Sequence, residues 1–197
     1  MIKRSFDLFF AFIGLIILSP LLLIIAIIIK SEDHGSVFYR SQRTGRHNRP
    51  FIVYKFRTMV VGAEKMGGPS TALCDPRLTK FGRYLRKYKL DELAQLLNIL
   101  KGEMSFVGPR PQVEKYTRLY NDEEKIILTV KPGLTDYASI RFINLDQILG
   151  NDRVDEKYQN EIEPKKNKLR IKYAQHHPFW IDCLILVKTI SGLLKIR

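Results

Sequence analysis

The longest uncharged stretch of the chain, Leu8 to Ile29, constrains its fold more than any other feature. As an α-helix it extends about 33 Å, close to the ~30 Å hydrocarbon core of a bilayer. Lys3 and Arg4 precede it, as in a secretory signal, but the run outlasts a signal core and no small-residue cleavage pattern follows Ile29, so it is expected to be retained. Ser19-Pro20 falls in its middle. Pro20 cannot donate to the carbonyl of Ile16 and its ring crowds that turn, which predicts a kink. The Ser19 hydroxyl is placed to satisfy the freed carbonyl. Cations flank both ends, Lys3 and Arg4 before, and Lys30, Arg40, Arg43, Arg46 and Arg49 after, so the positive-inside rule selects no orientation. A re-entrant hairpin and a kinked spanning helix both remain open on the residues alone. Asp7 is expected to pair with a cation at headgroup level.

The rest is charged. Lys and Arg number 33 against 20 Asp and Glu, a formal net charge of +13. That balance favours acidic partners, whether nucleic acid, anionic lipid or phosphorylated small molecules, and does not choose among them. Cys74 and Cys183 and the four histidines show no metal-ligand spacing, and the cysteines read as reduced cytosolic thiols. Ser36–Tyr39 and Phe51–Arg57 read as short strands around a turn at Thr44–Pro50. Gly67-Gly68-Pro69 marks a loop. Helices are expected over Leu78–Tyr88, from Leu90 to about Lys101 with Gly102 as the stop, and in the Gln112–Asn121 and Asp122–Leu128 regions. Val107-Gly108-Pro109-Arg110-Pro111 predicts a stiff extended loop and Lys131-Pro132-Gly133 a turn. Phe179–Leu194 fits an interfacial amphipathic helix or a core-packing one equally. The class is α+β, mostly helical, with a membrane helix over residues 1–30 and a charged second domain over 31–197.

Lys89-Leu90-Asp91-Glu92-Leu93 puts two adjacent carboxylates near a helix start. Acidic residues there often do no more than complement the helix dipole. Their surroundings point further: Arg83, Arg86, Lys87 and Lys89 lie upstream, Lys55 and Arg57 on the second strand, and Arg110 between two prolines. Carboxylates amid cations suit phosphoryl transfer. Magnesium held by carboxylate and substrate phosphates neutralises a diphosphate, and arginines stabilise charge on phosphoryl oxygens. A carboxylate can also attack phosphorus to form an acyl-phosphate. Against this, Lys55 and Arg57 on a strand could simply face solvent, and Pro109-Arg110-Pro111 could be a rigid linker.

Taken together, the N-terminal apolar segment with Ser19-Pro20, Lys55-Phe56-Arg57-Thr58-Met59, Arg77-Leu78-Thr79-Lys80-Phe81-Gly82-Arg83, Leu90-Asp91-Glu92-Leu93, Gln95-Leu96-Leu97-Asn98, Val107-Gly108-Pro109-Arg110-Pro111 and Lys131-Pro132-Gly133-Leu134-Thr135 resemble, in order, the bacterial sugar transferases, the monotopic phosphoglycosyl transferase family. The resemblance implies a re-entrant membrane helix and a two-step reaction on the cytoplasmic face of the bacterial inner membrane, at the start of glycoconjugate assembly. It makes Asp91 the nucleophile on a UDP-sugar, with UMP released and the phosphosugar passed to undecaprenyl phosphate. Glu92 would assist at the metal, Mg2+ held by Asp91 and Glu92, or orient the nucleophile. Arg86 and Arg110 match phosphate- and nucleotide-binding positions, with Lys55 and Arg57 as supports.

The chain departs from the family pattern in two places. Ala94 stands where many members have proline, which should lengthen the helix. Asp136-Tyr137-Ala138-Ser139 replaces a common Gly-Trp-Ala-Gln, so the sugar is left open. The expected partners are the UDP-sugar, undecaprenyl phosphate and inner-membrane lipid, with a homo-oligomer possible and no nucleic acid, since no nucleic-acid motif is present. The competing readings are a membrane-tethered protein binding anionic lipid or nucleic acid, and a magnesium-dependent polyprenyl diphosphate hydrolase.

Overall fold

Helix α1 runs from Ile2 to Asp33 with Pro20 inside it in the computed structural model, which describes residues 2–66, 75–150 and 153–195. The expected Gly67–Pro69 loop and Cys74 lie outside the described residues. The Ser19 hydroxyl donates to the Ile16 carbonyl at 2.8 Å, supplying the partner that Pro20 cannot. At 1.5 Å per residue α1 is roughly 48 Å long, and it is long and apolar enough to cross a membrane. One stripe of it is packed: Asp7, Ala11, Ile25 and Ile29 are buried, with Leu15 and Leu18 joining Ala11 in one apolar cluster and Leu22 and Ala26 joining Ile25 and Ile29 in a second. Spacings of three and four place these on one face. Phe9, Phe12, Ile17, Leu23, Ile24 and Ile27 occupy the other face and are exposed.

Both ends of α1 are tied to the polar part of the chain. Arg4 donates to the carbonyls of Ile99 and Leu100 at 2.6 and 2.9 Å, in the last turn of a helix, where Ile99 also accepts from the Gly102 amide. Lys3 reaches Asp182 at 2.6 Å, the Val107 carbonyl at 2.9 Å and the Tyr173 hydroxyl at 3.0 Å. Asp7 accepts from the Ser105 hydroxyl and the Phe106 amide, both at 3.1 Å, instead of from the expected cation. It is buried against a strand, where the nearest donors are neutral. At the far end Asp33 pairs with Arg57 at 2.5 Å, and Glu32 accepts from the Phe81 amide at 3.2 Å.

Strands β1 (Phe38–Thr44) and β2 (Pro50–Phe56) form an antiparallel hairpin, in register from Phe38 against Phe56 to Thr44 against Pro50. β1 starts later and runs further than Ser36–Tyr39, because Arg40, Gln42 and Arg43 pair as backbone while their polar side chains mask the pattern. Helix α2 (Lys80–Lys87) is capped by the Thr79 hydroxyl, which accepts from the Gly82 amide at 2.9 Å. A Cβ on Gly82 would lie 2.0 Å from the Thr58 carbonyl oxygen, so only glycine lets α2 approach the chain beyond β2.

Leu90–Lys101 was expected as one α-helix, lengthened by Ala94. Its first half, Leu90–Gln95, is 3-10, and only α3 (Leu96–Lys101) is α, ending at Gly102 in the left-handed region. Eclipsed i and i+3 positions in the tighter winding turn Asp91 and Ala94 inward together. β3 (Ser105–Val107) pairs in parallel with β4 (Gly133–Thr135), so Val107 and Gly133 are strand residues and not loop and turn. The two helical regions expected between 112 and 128 contract to α4 (Glu114–Thr117) and a 3-10 segment, Glu124–Thr129.

The remainder is helical: α5 (Tyr137–Arg141), α6 (Leu145–Leu149), α7 (Val154–Lys157), a π turn at Tyr158–Ile162, α8 (Glu163–Gln175) and α9 (Phe179–Leu194). α9 has the expected bounds. It buries Ile181, Asp182 and Ile185 and leaves Trp180, Val187 and Ile190 exposed, so it packs on the core and also presents an apolar face. The fold class is the expected one, α+β and mostly helical.

Candidate active site

Asp91 and Glu92 sit at the junction of three structural supports. The first is β2, which carries Lys55. Its open edge is closed by a side chain: Asn98 accepts from the Tyr54 amide at 3.1 Å and donates to the Ile52 carbonyl at 2.6 Å, standing in for a neighbouring strand. Because Asn98 lies on α3, directly after the 3-10 segment, this fixes Lys55 relative to the two carboxylates.

The second support is the crossing of β3 and β4. The Gly108 amide donates to Thr135 at 2.9 Å and the Gly133 amide to Pro109 at 3.0 Å. Cβ atoms on these glycines would meet backbone at 2.3 and 2.1 Å, so the two segments touch main chain to main chain. The contact aims Arg110 at the site. The third support is α2, held by Gly82 against Thr58, from which Arg86 donates to the Thr58 hydroxyl at 2.9 Å.

The two carboxylates differ sharply. Glu92 is clamped, with Arg110 donating to its oxygens at 2.5 and 2.8 Å and Lys55 at 2.8 Å. Burial by itself would raise the Glu92 pKa, but the charges of Arg110 and Lys55, and their hydrogen bonds, hold it well below the usual range. Arg110 is raised in return, chiefly by the charge of Glu92. Asp91 is 5% exposed, its Oδ1 has no hydrogen-bond partner among the described residues, and Lys55 stands 4.0 Å from its Oδ2. Burial pushes its pKa up, opposed by the charges of Lys55, Arg86 and Lys89 and reinforced by Glu92. Neither carboxylate caps the helix: Lys89 enters in the left-handed region without a capping side chain, and Glu92 points at cations.

Lys55, Arg86 and Arg110 therefore gather around Asp91 and Glu92. Arg57 does not join them. Its guanidinium is spent on Asp33 and on the Ser36 carbonyl, at 2.6 Å, fastening the end of α1. Ser19 and Pro20 lie within α1 and are exposed. For a metal, the described residues contain no cluster of three or more ligating side chains. Asp91 Oδ1 is a buried oxygen still open to a cation, whereas both oxygens of Glu92 are already engaged. Magnesium, which takes one or two carboxylates together with substrate phosphates, fits such a partial ligand set.

Sequence reasoning missed Asp136. It is fully buried, caps α5 by accepting from the Ser139 amide at 2.6 Å and hydroxyl at 2.7 Å, and receives the Arg110 amide at 3.4 Å. The Asp-x-x-Ser capping spacing at 136–139 was the available signal. Also missed was the buried charge on α8, where Glu163, Lys166 and Arg170 look like a solvated run in the sequence.

Residues 1–196 match the model of the family described as bacterial sugar transferase. The chain is similar to the exopolysaccharide production protein ExoY of Sinorhizobium fredii, 38% identical over 99% of this chain and 86% of that protein. It is similar to a UDP-N-acetylgalactosamine-undecaprenyl-phosphate N-acetylgalactosaminephosphotransferase of Aeromonas hydrophila, 33% identical over 98% of this chain. It is also similar to an undecaprenyl-phosphate galactose phosphotransferase of Salmonella typhimurium, 35% identical over 98% of this chain. The chain spans 44% and 40% of those two longer relatives. With nearly every residue matched, and Lys55, Asp91, Glu92 and Arg110 assembled into one charged site, the chain belongs to the bacterial sugar transferases.

Proposed function

We propose that this chain transfers a sugar-1-phosphate from a UDP-sugar to undecaprenyl phosphate at the cytoplasmic face of the inner membrane, as the first membrane step of glycoconjugate assembly. The observation that carries the reading is Asp91: a buried carboxylate with one unengaged oxygen, beside a glutamate that holds Lys55 and Arg110 in place. Asp91 Oδ1 attacks the β-phosphorus, the bond to the bridging oxygen breaks, and its electron pair leaves with UMP. Undecaprenyl phosphate then attacks the same phosphorus and expels the Asp91 carboxylate, leaving a polyprenyl diphosphate-sugar. Arg110, Lys55 and Arg86 supply positive charge where the phosphoryl oxygens gain negative charge. Magnesium, held by Asp91 with the donor's phosphates while Glu92 stays engaged by Arg110 and Lys55, would neutralise the diphosphate. The relatives named as undecaprenyl-phosphate sugar phosphotransferases support this substrate class.

Incubating the protein with magnesium, a panel of UDP-sugars and undecaprenyl phosphate should release UMP from one or a few donors and trap a labelled phosphosugar on the protein when the acceptor is omitted. UMP formed without labelled protein would remove the covalent step. Inorganic phosphate released from a polyprenyl diphosphate alone would favour hydrolysis instead.

Residues 1–30 act in this reading as a re-entrant membrane helix and 31–197 as the catalytic domain. Support comes from the two ends of α1, both anchored to polar partners, Arg4 on α3 and Asp33 on Arg57, while its opposite face stays apolar and exposed. With Cys74 and Cys183 replaced by serine, Ile2→Cys and Ser31→Cys should both react with an impermeant maleimide from the cytoplasmic side alone. Labelling of the two positions from opposite sides would make α1 a spanning helix.

A further inference from the structure

Polar groups from three distant helices close a network on the last residue of β3. The Lys3 ammonium, in the first turn of α1, donates to Asp182 at 2.6 Å, to the Val107 carbonyl at 2.9 Å and to the Tyr173 hydroxyl at 3.0 Å. An ammonium carries three N–H groups, so all of them are used. Asp182 on α9 and Tyr173 on α8 are buried. The Tyr173 hydroxyl stands 2.6 Å from the other Asp182 oxygen and 3.1 Å from the same Val107 carbonyl. Its single proton goes to the carboxylate, the nearer and charged acceptor, which leaves Lys3 as the donor to Val107. A polar network with every member satisfied is rigid.

What this network grips is the approach to Arg110. β3 and β4 have three residues each, too few to hold their own place as an isolated pair. α1 supplies further support: Asp7, one turn on from Lys3 and on the same face, accepts from the Ser105 hydroxyl and the Phe106 amide at 3.1 Å. From Val107 the chain runs through Gly108 and Pro109 to Arg110, at most about 11 Å when extended. Little slack remains in that link. Pro109 and Pro111 have fixed φ, the Gly108 amide is bonded to Thr135 and the Pro109 carbonyl to the Gly133 amide. Arg110, with its two hydrogen bonds to Glu92, therefore follows the placement of Val107.

We propose that Lys3, locked by Asp182 and Tyr173, is a positioning residue for the transfer: by holding the Val107 carbonyl from the first turn of the membrane helix, it sets where Arg110 meets the donor phosphates. This rests on the reading of the chain as a sugar-phosphate transferase in which Arg110 faces the donor. Lys3 acts through Val107 and is not itself a catalytic residue. Anchoring alone does not require it, because Arg4 already ties the same turn of α1 to the carbonyls of Ile99 and Leu100. The seat of the membrane helix and the aim of Arg110 are one structure.

The test uses the full chain in detergent micelles and follows UMP release against UDP-sugar concentration, with backbone hydrogen exchange measured alongside. Lys3→Met should lower kcat roughly ten- to hundredfold with donor KM changed by less than about threefold, as for a contact made in the transition state. Tyr173→Phe, which leaves α1 intact, should lower kcat about threefold or more. In an Arg110→Gln background either change should cost less than about twofold more, because the guanidinium being aimed is gone. The Gly108 and Gly133 amides should exchange faster in Lys3→Met while α2 keeps its wild-type rates. Equal losses of turnover in the wild-type and Arg110→Gln backgrounds, or unchanged exchange at Gly108, overturn the proposal and leave Lys3 an anchor. Exchange quickened along the whole chain also overturns it, making the network a general support of the fold. Wild type that releases no UMP, with exchange at Gly108 still raised by Lys3→Met, keeps the hold of Lys3 on the Arg110 loop and overturns the transferase reading. Active wild type slowed by Arg110→Gln but not by Lys3→Met does the reverse.

Discussion

Asp91→Asn is expected to cut UMP release by on the order of 10⁴-fold or more while leaving the protein at least as stable as wild type at pH 7. The loss follows from removing the group that attacks phosphorus, since nucleophile removal costs most of an enzyme's acceleration. The stability gain follows from burial. Asp91 has a folded-state pKa above its ordinary 3.8, so the stability linked to it is full below that value and is lost as pH rises through the raised one. At neutral pH the ionised side chain therefore weighs against folding, with Oδ1 unpartnered and Lys55 only as near as 4.0 Å. Asparagine keeps the shape and removes that charge. UMP release and thermal unfolding measured on the same preparation decide the matter. Normal turnover would end the nucleophile assignment, and a melting temperature several degrees below wild type would contradict the electrostatic account.

Much of this site could be read in the sequence, in a form that did not reveal its geometry. The carboxylate pair and the cations Lys55, Arg86 and Arg110 stood out by charge and by order along the chain. What brings them together is three contacts that no periodicity displays. Asn98 replaces a strand at the edge of β2, Gly82 lets α2 rest on Thr58, and Gly108 meets Gly133 across two three-residue strands. Strands that short carry no alternation, so Val107 and Gly133 look like loop. Arg57 misled for the opposite reason. It lies two residues from Lys55, but β2 ends at Phe56 and the side chain goes to Asp33, a residue distant in sequence. The 3-10 start at Leu90 is likewise tertiary in origin, because Ala94 and the leucine spacing favour an α-helix that the inward turn of Asp91 overrides. α9 was legible to its bounds because sixteen residues give a 3.6-residue period room to show. The charged run on α8 was not, because a sequence does not distinguish a buried lysine or arginine from a solvated one.

Glu92→Gln should have the opposite stability signature from its neighbour. Glu92 binds Arg110 through two hydrogen bonds and Lys55 through a third, so removing its charge takes the carboxylate from Arg110 and leaves Lys55 with only Asp91, 4.0 Å away. Breaking a buried pair costs about 3–5 kcal/mol; here about 2–3 kcal/mol is expected, because Arg110 and Lys55 each keep part of their surface in water. Turnover should fall roughly 10²–10³-fold, since Arg110 and Lys55 lose the group that aims them. The pH dependence separates this role from a generic packing defect. The Glu92 pKa is depressed below its ordinary 4.5, so its contribution is present above that value and lost as pH falls through the folded-state value. Wild type should therefore lose stability on acidification below about 4.5 more steeply than Glu92→Gln, and the two unfolding curves should converge. Parallel curves across that range would mean the clamp contributes nothing. If Glu92 acts through Arg110, Glu92→Gln combined with Arg110→Gln should cost less than the sum of the two single changes, in stability and in turnover alike. An additive double variant would leave the two side chains independent. Glutamate would then have to be acting directly on the donor or its metal, and not as the residue that holds Arg110 and Lys55 around Asp91.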